Sequence, residues 1–442
     1  MSKRKSAKRA PLNVCELFAG VGGFRVGLEG IAGSERQVTK EFTVVASNQW
    51  EPTTKAQHAS DVYVARWGSN GHSNSDIFEL LRQPDYVQSL LDKKVDVLCG
   101  GFPCQDYSVA QGNHLSKGIE GKKGVLWWAI HYLLGQMSQR GAPIKYLFLE
   151  NVDRLLKSPT KARGKDFAII LASLAQLGYV VEWRVVDASA YGFAQKRKRV
   201  FLVGYHESTN TAKHLRKSKN SAEWLTSSGT FARALPLNPS RVPAWRQVNI
   251  GLNVASAQEA FSEAKASKSV FENCGVMVDA SVTTVHLSIK DLMGSVPTTL
   301  GDVVSATLEV PDDYYSNDDS IARWTLLKGA KREKREAANG FSYTFSEEAL
   351  AFPDHLDRPS RTIITSEGGS GPSRTTHVVR DASGKLRRLV PEELEALNGF
   401  PRGFTAISGV SPAKRAFLMG NALVTGIVER IGKGLVQVIA DT

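Results

Sequence analysis

Short apolar runs alternate with helix-length segments over the first half of the chain. The runs are rich in β-branched and aromatic residues, which favour strands. They are residues 13–17, 42–47, 95–99, 146–149, 179–186 and 199–203. Strands separated by helix-length segments indicate a parallel or mostly parallel sheet covered by helices. We therefore predict a doubly wound α/β domain over residues 12–205.

The alternation stops after Gly204. The following residues contain a lysine-rich stretch, then an acidic run and then a basic run, without a regular apolar period. The basic run consists of Lys328, Lys331, Arg332, Lys334 and Arg335. We predict a second, smaller and less regular domain over residues 206–375.

The C-terminal segment has the period of an amphipathic helix. Leu423, Ile427, Ile431 and Leu435 are spaced by four and would share one helical face. Asparagine is a favoured N-cap, so Asn421 is expected to cap this helix over residues 422–439. The helix is expected to pack on the first domain.

Length and charge narrow the class of protein. A chain of 442 residues with 42% hydrophobic content suggests two or three domains with sizeable cores. Lysine and arginine exceed aspartate and glutamate by 56 to 44, a net charge of +12, but five of these cations lie in the tail 1–11. A basic balance alone is weak evidence for nucleic acid. No apolar run reaches the ~18 residues of a membrane helix.

Cysteine usage indicates a reducing compartment. The four cysteines form neither a CxxC pair nor a disulfide framework, so we expect cytoplasmic free thiols and no metal site. Three of them, Cys15, Cys99 and Cys274, are expected to be small buried apolar residues.

A glycine-rich segment, ELFAGVGGF (16–24), directly follows the first predicted strand. Glycines there allow a tight turn and the approach of a ligand to main-chain N–H groups. The turn alone is compatible with NAD, FAD or S-adenosylmethionine, and also with a purely structural role.

Cys104 lies in GGFPCQ (100–105), immediately after another predicted strand. Ligands of doubly wound sheets bind at the carboxyl ends of the strands. A thiolate there can attack, remain attached and later leave. Its setting after Pro103 favours this role over that of a buried apolar residue.

Two polar motifs follow. Glu150 ends a strand in ENV (150–152), where a carboxyl group can protonate or hydrogen-bond a ring nitrogen, or simply cap a helix. Arg197 and Arg199 belong to QKRKR (195–199), which opens the next strand. Alternate residues of a strand share a face, so both could hold a carbonyl or phosphate, or form a solvated edge.

Each motif alone is ambiguous, but in this order they make the chain resemble the DNA (cytosine-5) methyltransferase family. The resemblance runs from Leu12 to about Gly434, almost the whole protein. The matching segments are ELFAGVGGFR (16–25), GGFPCQDYS (100–108), ENV (150–152), QKRKR (195–199), RPSRTI (358–363) and GNAL (420–423).

The resemblance implies a covalent mechanism. Cys104 would attack C6 of a cytosine while Glu150 holds N3 and Arg199, with Arg197 in the same motif, holds the base. The methyl group would pass from S-adenosylmethionine to C5. Because C5 lies inside the stacked duplex, the nucleotide must be flipped into the site.

The resemblance also implies a cofactor site and a Rossmann-like methyltransferase fold. The implied cofactor residues are Phe18, Ala19, Gly20, Gly22, Gly23, Gln49, Trp50, Asp76, Ile77, Pro103, Leu126 and Asn421. Trp50 would stack on adenine. One position departs from the family pattern, because Gln49 stands where an acidic residue usually holds the ribose. An amide can accept one hydrogen bond but lacks that charge, which weakens the ribose contact or shifts it to Glu51.

DNA contacts are expected in two places. Residues 105–123 resemble the family's mobile loop, with Gln105 and Ser108 as candidate contacts. Residues 206–375 occupy the place of its target-recognition segment, where Arg241, Arg246 and Arg323 are candidates for reading guanine or contacting phosphate.

We therefore predict an S-adenosylmethionine-dependent DNA cytosine-5 methyltransferase. Its segments would be a basic tail (1–11), a catalytic domain (12–205), a target-recognition domain (206–375) and a return to the catalytic domain (376–442). We expect a monomer, cytoplasmic and associated with the nucleoid, that acts on double-stranded DNA without membrane contact. A restriction endonuclease sharing its site is an expected companion. The alternatives are the same chemistry on transfer RNA, or a catalytically weak DNA-binding relative.

Overall fold

The computed structural model divides the chain into two compact units. It describes residues 10–31, 41–102, 126–159, 162–218, 220–238, 244–251, 253–261, 268–293, 295–304, 309–336 and 342–442. The larger unit comprises Met1–Asp187, Lys198–Gly294 and Thr425–Thr442, and the smaller comprises Ala188–Arg197 and Ser295–Val424. These divisions differ from the predicted boundaries at 206 and 375.

A ten-stranded sheet forms the centre of the larger unit in the part of the chain that the structure describes, in the order β3-β2-β1-β4-β5-β7-β6-β9-β10-β8. The strands are β1 (Leu12–Leu17), β2 (Phe42–Asn48), β3 (His72–Ser73), β4 (Val97–Gly101), β5 (Tyr146–Val152), β6 (Tyr179–Asp187), β7 (Lys198–His206), β8 (Arg246–Asn249), β9 (Cys274–Val278) and β10 (Ser281–Val285). All six predicted strands are present, which confirms the α/β fold class.

Only half of this sheet is parallel. Strands β3, β2, β1, β4 and β5 run parallel to one another. Strand β7 is antiparallel to β5 and β6. The segment that connects β6 to β7 is too short for a parallel crossover, which needs a dozen or more residues, so these two strands must be antiparallel. Strands β9 and β10 form a hairpin whose two turn residues, Asp279 and Ala280, have positive φ.

Helices cover the sheet and build the smaller unit. They are α1 (Gly23–Glu29), α2 (His58–Trp67), α3 (Ile77–Arg82), α4 (Pro84–Asp92), α5 (Leu126–Gln139), α6 (Lys165–Gln176), α7 (Asn210–Lys217), α8 (Ser221–Glu223), α9 (Thr230–Ala234), α10 (Val254–Ala260), α11 (Leu300–Val304), α12 (Asp318–Lys328), α13 (Pro391–Leu397), α14 (Pro412–Asn421) and α15 (Thr425–Asp441).

The core of the larger unit lies on both faces of the sheet. Leu147 and Leu149 of β5 join the apolar cluster formed with α3, α4, α5 and α6. Phe148, between them, points to the opposite face and packs edge-to-face on Phe24 of α1, with ring centroids 5.0 Å apart. The first turn after β1 is thereby fixed against the sheet.

The last helix packs on α1 and α9 through the face that carries the predicted apolar period. Ile427, Ile431 and Leu435 are buried. A Cβ at Gly27 of α1 would lie 2.6 Å from the Val428 Cβ, which shows how closely α1 and α15 approach. The predicted cap was wrong, because Asn421 is the last residue of α14 and α15 begins at Thr425.

The described part of the smaller unit contains two short antiparallel ribbons. One pairs β11 (Lys331–Glu336) with β12 (Ser342–Glu347), and the other pairs β13 (Val378–Arg380) with β14 (Leu386–Arg388). Strands β8, β9 and β10, which lie within the predicted domain 206–375, extend the main sheet of the larger unit.

Candidate active site

The loop after β1 turns through three left-handed backbone positions. Phe18, Gly20 and Gly22 have φ values of 54°, 56° and 86°. A Cβ at Gly22 would lie 2.3 Å from the Trp67 ring, so only glycine fits. At Gly20 no described atom lies within 4 Å of a Cβ position. The tip of the turn is therefore open to a ligand.

Two hydrogen bonds fix this turn to the end of β2. The Ala19 N–H donates to the Asn48 carbonyl at 3.0 Å, and the Gly20 N–H donates to Oε1 of Gln49 at 2.7 Å. Gln49 is itself buried, whereas the next side chain, Trp50, is 38% exposed. Gln49 thus braces the turn, a contact that the sequence did not indicate.

The neighbouring strand brings Asp76 and Ile77 to the same edge of the sheet. The Asn48 amide donates to the carbonyls of Ser73 and Ser75 at 3.2 and 2.9 Å. Asp76 caps α3 by accepting from the Phe78 N–H at 2.7 Å, and Ile77 is buried. Residues predicted to hold the cofactor therefore meet at the carboxyl ends of β1, β2 and β3.

A buried carboxyl group lies beneath the turn. Glu16, in β1, accepts from the Tyr63 hydroxyl at 3.1 Å and from the Arg25 N–H at 3.4 Å. Burial raises the pKa of Glu16 to about 8, while Arg25 and Tyr63 lower it. Glu16 is the first residue of the glycine-rich segment, but no motif indicates its role, because its partner Tyr63 is distant in the chain.

Glu150 and Arg199 form an ion pair where β5 and β7 meet. Arg199 Nε lies 2.8 Å from Glu150 Oε1, with side chains 19% and 13% exposed. The register places Val152 opposite Arg199, so Glu150 is its diagonal neighbour on the same face. A fixed carboxyl group and guanidinium of this kind can hydrogen-bond a ring nitrogen and a carbonyl of one heterocycle.

The chain leaves β4 beside this pair. Gly101 is opposite Glu150 in the ladder, and a Cβ there would lie 2.9 Å from Glu150 Oε2. The Asn151 amide donates to the Phe102 carbonyl at 2.9 Å. Pro103 and Cys104 follow directly and lie outside the described residues, as do Gln105 and Ser108. Their roles stay predictions.

The alternation of residues predicted that Arg197 and Arg199 share a strand face, but they do not. Strand β7 begins at Lys198, and Arg197 belongs to the smaller unit. Its buried guanidinium donates to the carbonyls of Ile363 and Gly420, each at 2.9 Å. Three segments of the family resemblance therefore meet around this arginine, and a direct catalytic role for it stays a prediction.

The other predicted residues belong to several elements of the two units. Leu126 is the first residue of α5, and Asn421 is exposed at the end of α14. Arg246, on the edge strand β8, lies 3.5 Å from Glu272, and Arg323 is exposed on α12. Arg241 lies outside the described residues.

Three thiols are buried and free, as predicted: Cys15, Cys99 and Cys274. Within the described segments, no cluster of His, Cys, Asp and Glu side chains is placed to hold a metal ion. None of the helices in those segments combines the length and the apolar character that crossing a bilayer requires.

The sheet, with its glycine-rich turn after β1, defines the fold of S-adenosylmethionine-dependent methyltransferases. Solved structures share this fold. Spodoptera frugiperda DNMT2 matches with a TM-score of 0.55 at 13% identity, covering 97% of this chain and 99% of that one. The Dnmt2 methyltransferase of S. pombe matches with a TM-score of 0.54 at 12% identity, covering 98% of both chains.

Sequence comparison defines the family within this fold. Residues 12–437 match the family model for C-5 cytosine-specific DNA methylases. The type II methyltransferase M.Sau3AI of Staphylococcus aureus is 40% identical over 435 residues, covering 98% of this chain and 97% of that protein. The chain belongs to the C-5 cytosine-specific DNA methylase family and is a DNA cytosine-5 methyltransferase.

Proposed function

We propose that the protein transfers a methyl group from S-adenosylmethionine to C5 of a cytosine flipped out of a short, specific site in double-stranded DNA. The ion pair between Glu150 and Arg199, beside the strand that leads to Cys104, is the observation that carries this proposal. It places a carboxyl group, which can donate to N3 when it is protonated, and a fixed cation beside one base, at the sheet edge where the nucleophile is expected.

The residues around the first turn fit the cofactor. The open backbone at Gly20 admits an anionic or polar group, and the exposed indole of Trp50 offers a flat apolar surface to a purine. Asp76 lies at the adjacent strand end. When bound, the cofactor supplies an electrophilic methyl group.

The protein residues perform the remaining chemistry. The Cys104 thiolate forms a bond to C6 of the cytosine, while the Glu150 carboxyl group gives a proton to N3 and so accommodates the electron pair displaced into the ring. Arg199 holds Glu150 and the O2 carbonyl of the base. After methylation, loss of the C5 proton to a base regenerates the C5–C6 double bond and expels the thiolate, and N3 returns its proton to Glu150.

Trapping of the covalent intermediate tests this mechanism. Bisulfite sequencing of DNA from cells expressing the protein first identifies the methylated site. A duplex with 5-fluorocytosine at that cytosine is then incubated with enzyme and cofactor. Because fluorine cannot leave as a proton does, the wild-type protein should remain attached to DNA, whereas Cys104→Ser should form no adduct.

Controls identify the nucleophile and the substrate. Cys99→Ala removes a buried thiol of the preceding strand and should preserve the adduct. A folded wild-type protein that binds cofactor but traps no duplex would overturn the proposal. An adduct with transfer RNA carrying 5-fluorocytosine, and none with DNA, would assign the same chemistry to the other substrate.

The remaining aspects of the proposal concern the setting of the enzyme. Residues 206–375 would carry target recognition, and a restriction endonuclease would cut the unmodified site. The enzyme would act as a monomer in the cytoplasm, on DNA of the nucleoid. Sedimentation velocity tests the monomeric state, and cleavage of unmodified DNA by an extract of the source cells tests the presence of the endonuclease.

A further inference from the structure

The ribbon formed by β11 and β12 in the smaller unit has two chemically different faces. Directly opposed residues of an antiparallel pair lie on the same side. The register pairs Lys331 with Glu347 and Glu333 with Phe345 on one side, which we call the inner face together with Arg335. The other side, called the outer face, comprises Arg332, Lys334, Glu336, Ser342, Thr344 and Ser346.

Charges on the inner face are compensated within the protein. Arg335 pairs with Glu333 at 2.9 Å and lies over the Phe345 ring at 3.7 Å. Glu347 pairs with Arg374 at 3.2 Å. The inner face carries two cations and two anions, so its net charge is zero.

Arg374 also anchors the base of the ribbon. Its guanidinium donates to the carbonyls of Leu327 and Gly329, each at 2.8 Å, and to that of Glu348. Lys331, Phe345 and Glu347 are half-buried on this side. The inner face therefore attaches the ribbon to the smaller unit.

The outer face is entirely exposed. All six of its side chains are accessible to solvent. Within the described segments, Arg332 and Lys334 have no ion pair, and hydroxyl groups lie opposite each of them, on Ser346 and Thr344. Exposed cations beside hydroxyl groups are the set of side chains that proteins use to contact DNA phosphates.

We propose that the outer face of this ribbon binds double-stranded DNA as part of the recognition surface, with Arg332 and Lys334 as contact residues. The proposal rests on the proposed function, which gives the enzyme a duplex substrate. The major groove is about 12 Å wide and admits a two-stranded ribbon. The outer face presents its cations on one side of such a ribbon, without acidic neighbours directly opposite.

The test compares two double variants with the same change in net charge. Arg332→Ala/Lys334→Ala removes both outer cations, and Lys331→Ala/Arg335→Ala removes both inner ones. Binding of a duplex containing the mapped site is measured by fluorescence anisotropy between 50 and 200 mM KCl, with S-adenosylhomocysteine present. Calorimetric binding of S-adenosylhomocysteine and thermal unfolding verify that each variant is folded.

The outer variant should bind DNA roughly tenfold more weakly or worse. Its slope of log affinity against log salt should fall by about 1.8, because each phosphate contact contributes about 0.9. The inner variant should remain within about twofold of wild type. Equal affinities for the outer variant and wild type, or equal losses in both variants, would overturn the proposal.

Failure of this inference can be told apart from failure of the proposed function. If wild-type protein forms the 5-fluorocytosine adduct and the outer variant binds DNA unchanged, only the assignment of the ribbon is wrong. If wild-type protein neither binds nor traps duplex DNA, the proposed function itself is wrong, and the ribbon assignment fails with it.

Discussion

The side-chain carbonyl of Gln49 accepts the Gly20 N–H at 2.7 Å, which couples the end of β2 to the glycine-rich turn. The family pattern places an acidic residue at this position for the ribose. In this chain the amide oxygen instead supports the backbone of the turn. We therefore propose that Gln49 affects cofactor binding through the conformation of Gly20, a role that does not require a negative charge.

Gln49→Ala should weaken cofactor binding. The loss of the acceptor leaves the Gly20 N–H without its partner, at a cost of about 1–3 kcal/mol, which corresponds to roughly 5- to 150-fold in affinity. Isothermal titration with S-adenosylhomocysteine measures this directly. Gln49→Glu keeps an acceptor oxygen and should retain most of the affinity. If the alanine variant binds as tightly as wild type, the hydrogen bond does not position the turn.

Glu150→Gln should reduce methyl transfer far more than DNA binding. The amide keeps the size of the side chain but cannot donate a carboxyl proton to N3, and general acid catalysis contributes about 10²- to 10⁴-fold. Single-turnover transfer of labelled methyl groups to the mapped duplex gives the rate. Asp153→Asn, a nearby carboxylate in the turn after β5, is the matched control and should stay near the wild-type rate. Comparable losses in both variants would argue against a special role of Glu150.

Local sequence patterns predicted the strands and the helix whose apolar residues form a regular pattern within one continuous segment. The apolar runs of β1, β2 and β4 to β7, and the four-residue period of α15, are of this kind. The extension of the sheet by β8–β10 could not be predicted this way. It depends on packing between distant segments, for example Gly275 against Trp183, where a Cβ would lie 2.3 Å from the indole. The prediction that Asn421 caps the last helix was wrong for a related reason, because asparagine is also common at the ends of helices.

The same distinction applies to the site. The glycine-rich turn follows β1, whereas Glu150 and Arg199 lie within β5 and β7, where their side chains are in contact. The partners of Arg197 are carbonyl groups of Ile363 and Gly420. Because a main-chain carbonyl has no residue signature, no motif could indicate that this arginine serves the packing of the smaller unit.

Glu16 should make the stability of the enzyme depend on pH. Burial raises its pKa from 4.5 to about 8 in the folded protein. The folded state therefore binds more protons than the unfolded state between these values, and the free energy of unfolding falls as the pH rises from about 5 to 8. Ionisation of Glu16 under a buried turn is the physical cause.

Comparison of wild type with Glu16→Gln isolates this contribution, because glutamine cannot ionise and can still accept from Tyr63. Urea unfolding at pH 5 and pH 8 gives the two free energies for each protein. The variant should gain stability relative to wild type on going from pH 5 to pH 8. A difference between the proteins that is independent of pH, or that changes in the opposite direction, would show that Glu16 does not carry the proton.

Gly27→Ala should destabilise the larger unit by opening the contact between α1 and α15. The added methyl group would meet the Val428 Cβ at 2.6 Å and the Thr425 carbonyl oxygen at 2.7 Å, so the helices must separate. Overpacking of this kind costs about 1–3 kcal/mol.

Gly135→Ala in α5 is the control, because there the nearest described atom lies 3.9 Å away. Helix propensity should leave that variant neutral or stabilised by up to about 1 kcal/mol. Urea unfolding of both variants gives the comparison, and a stable Gly27→Ala protein would show that α1 and α15 can move apart at little cost.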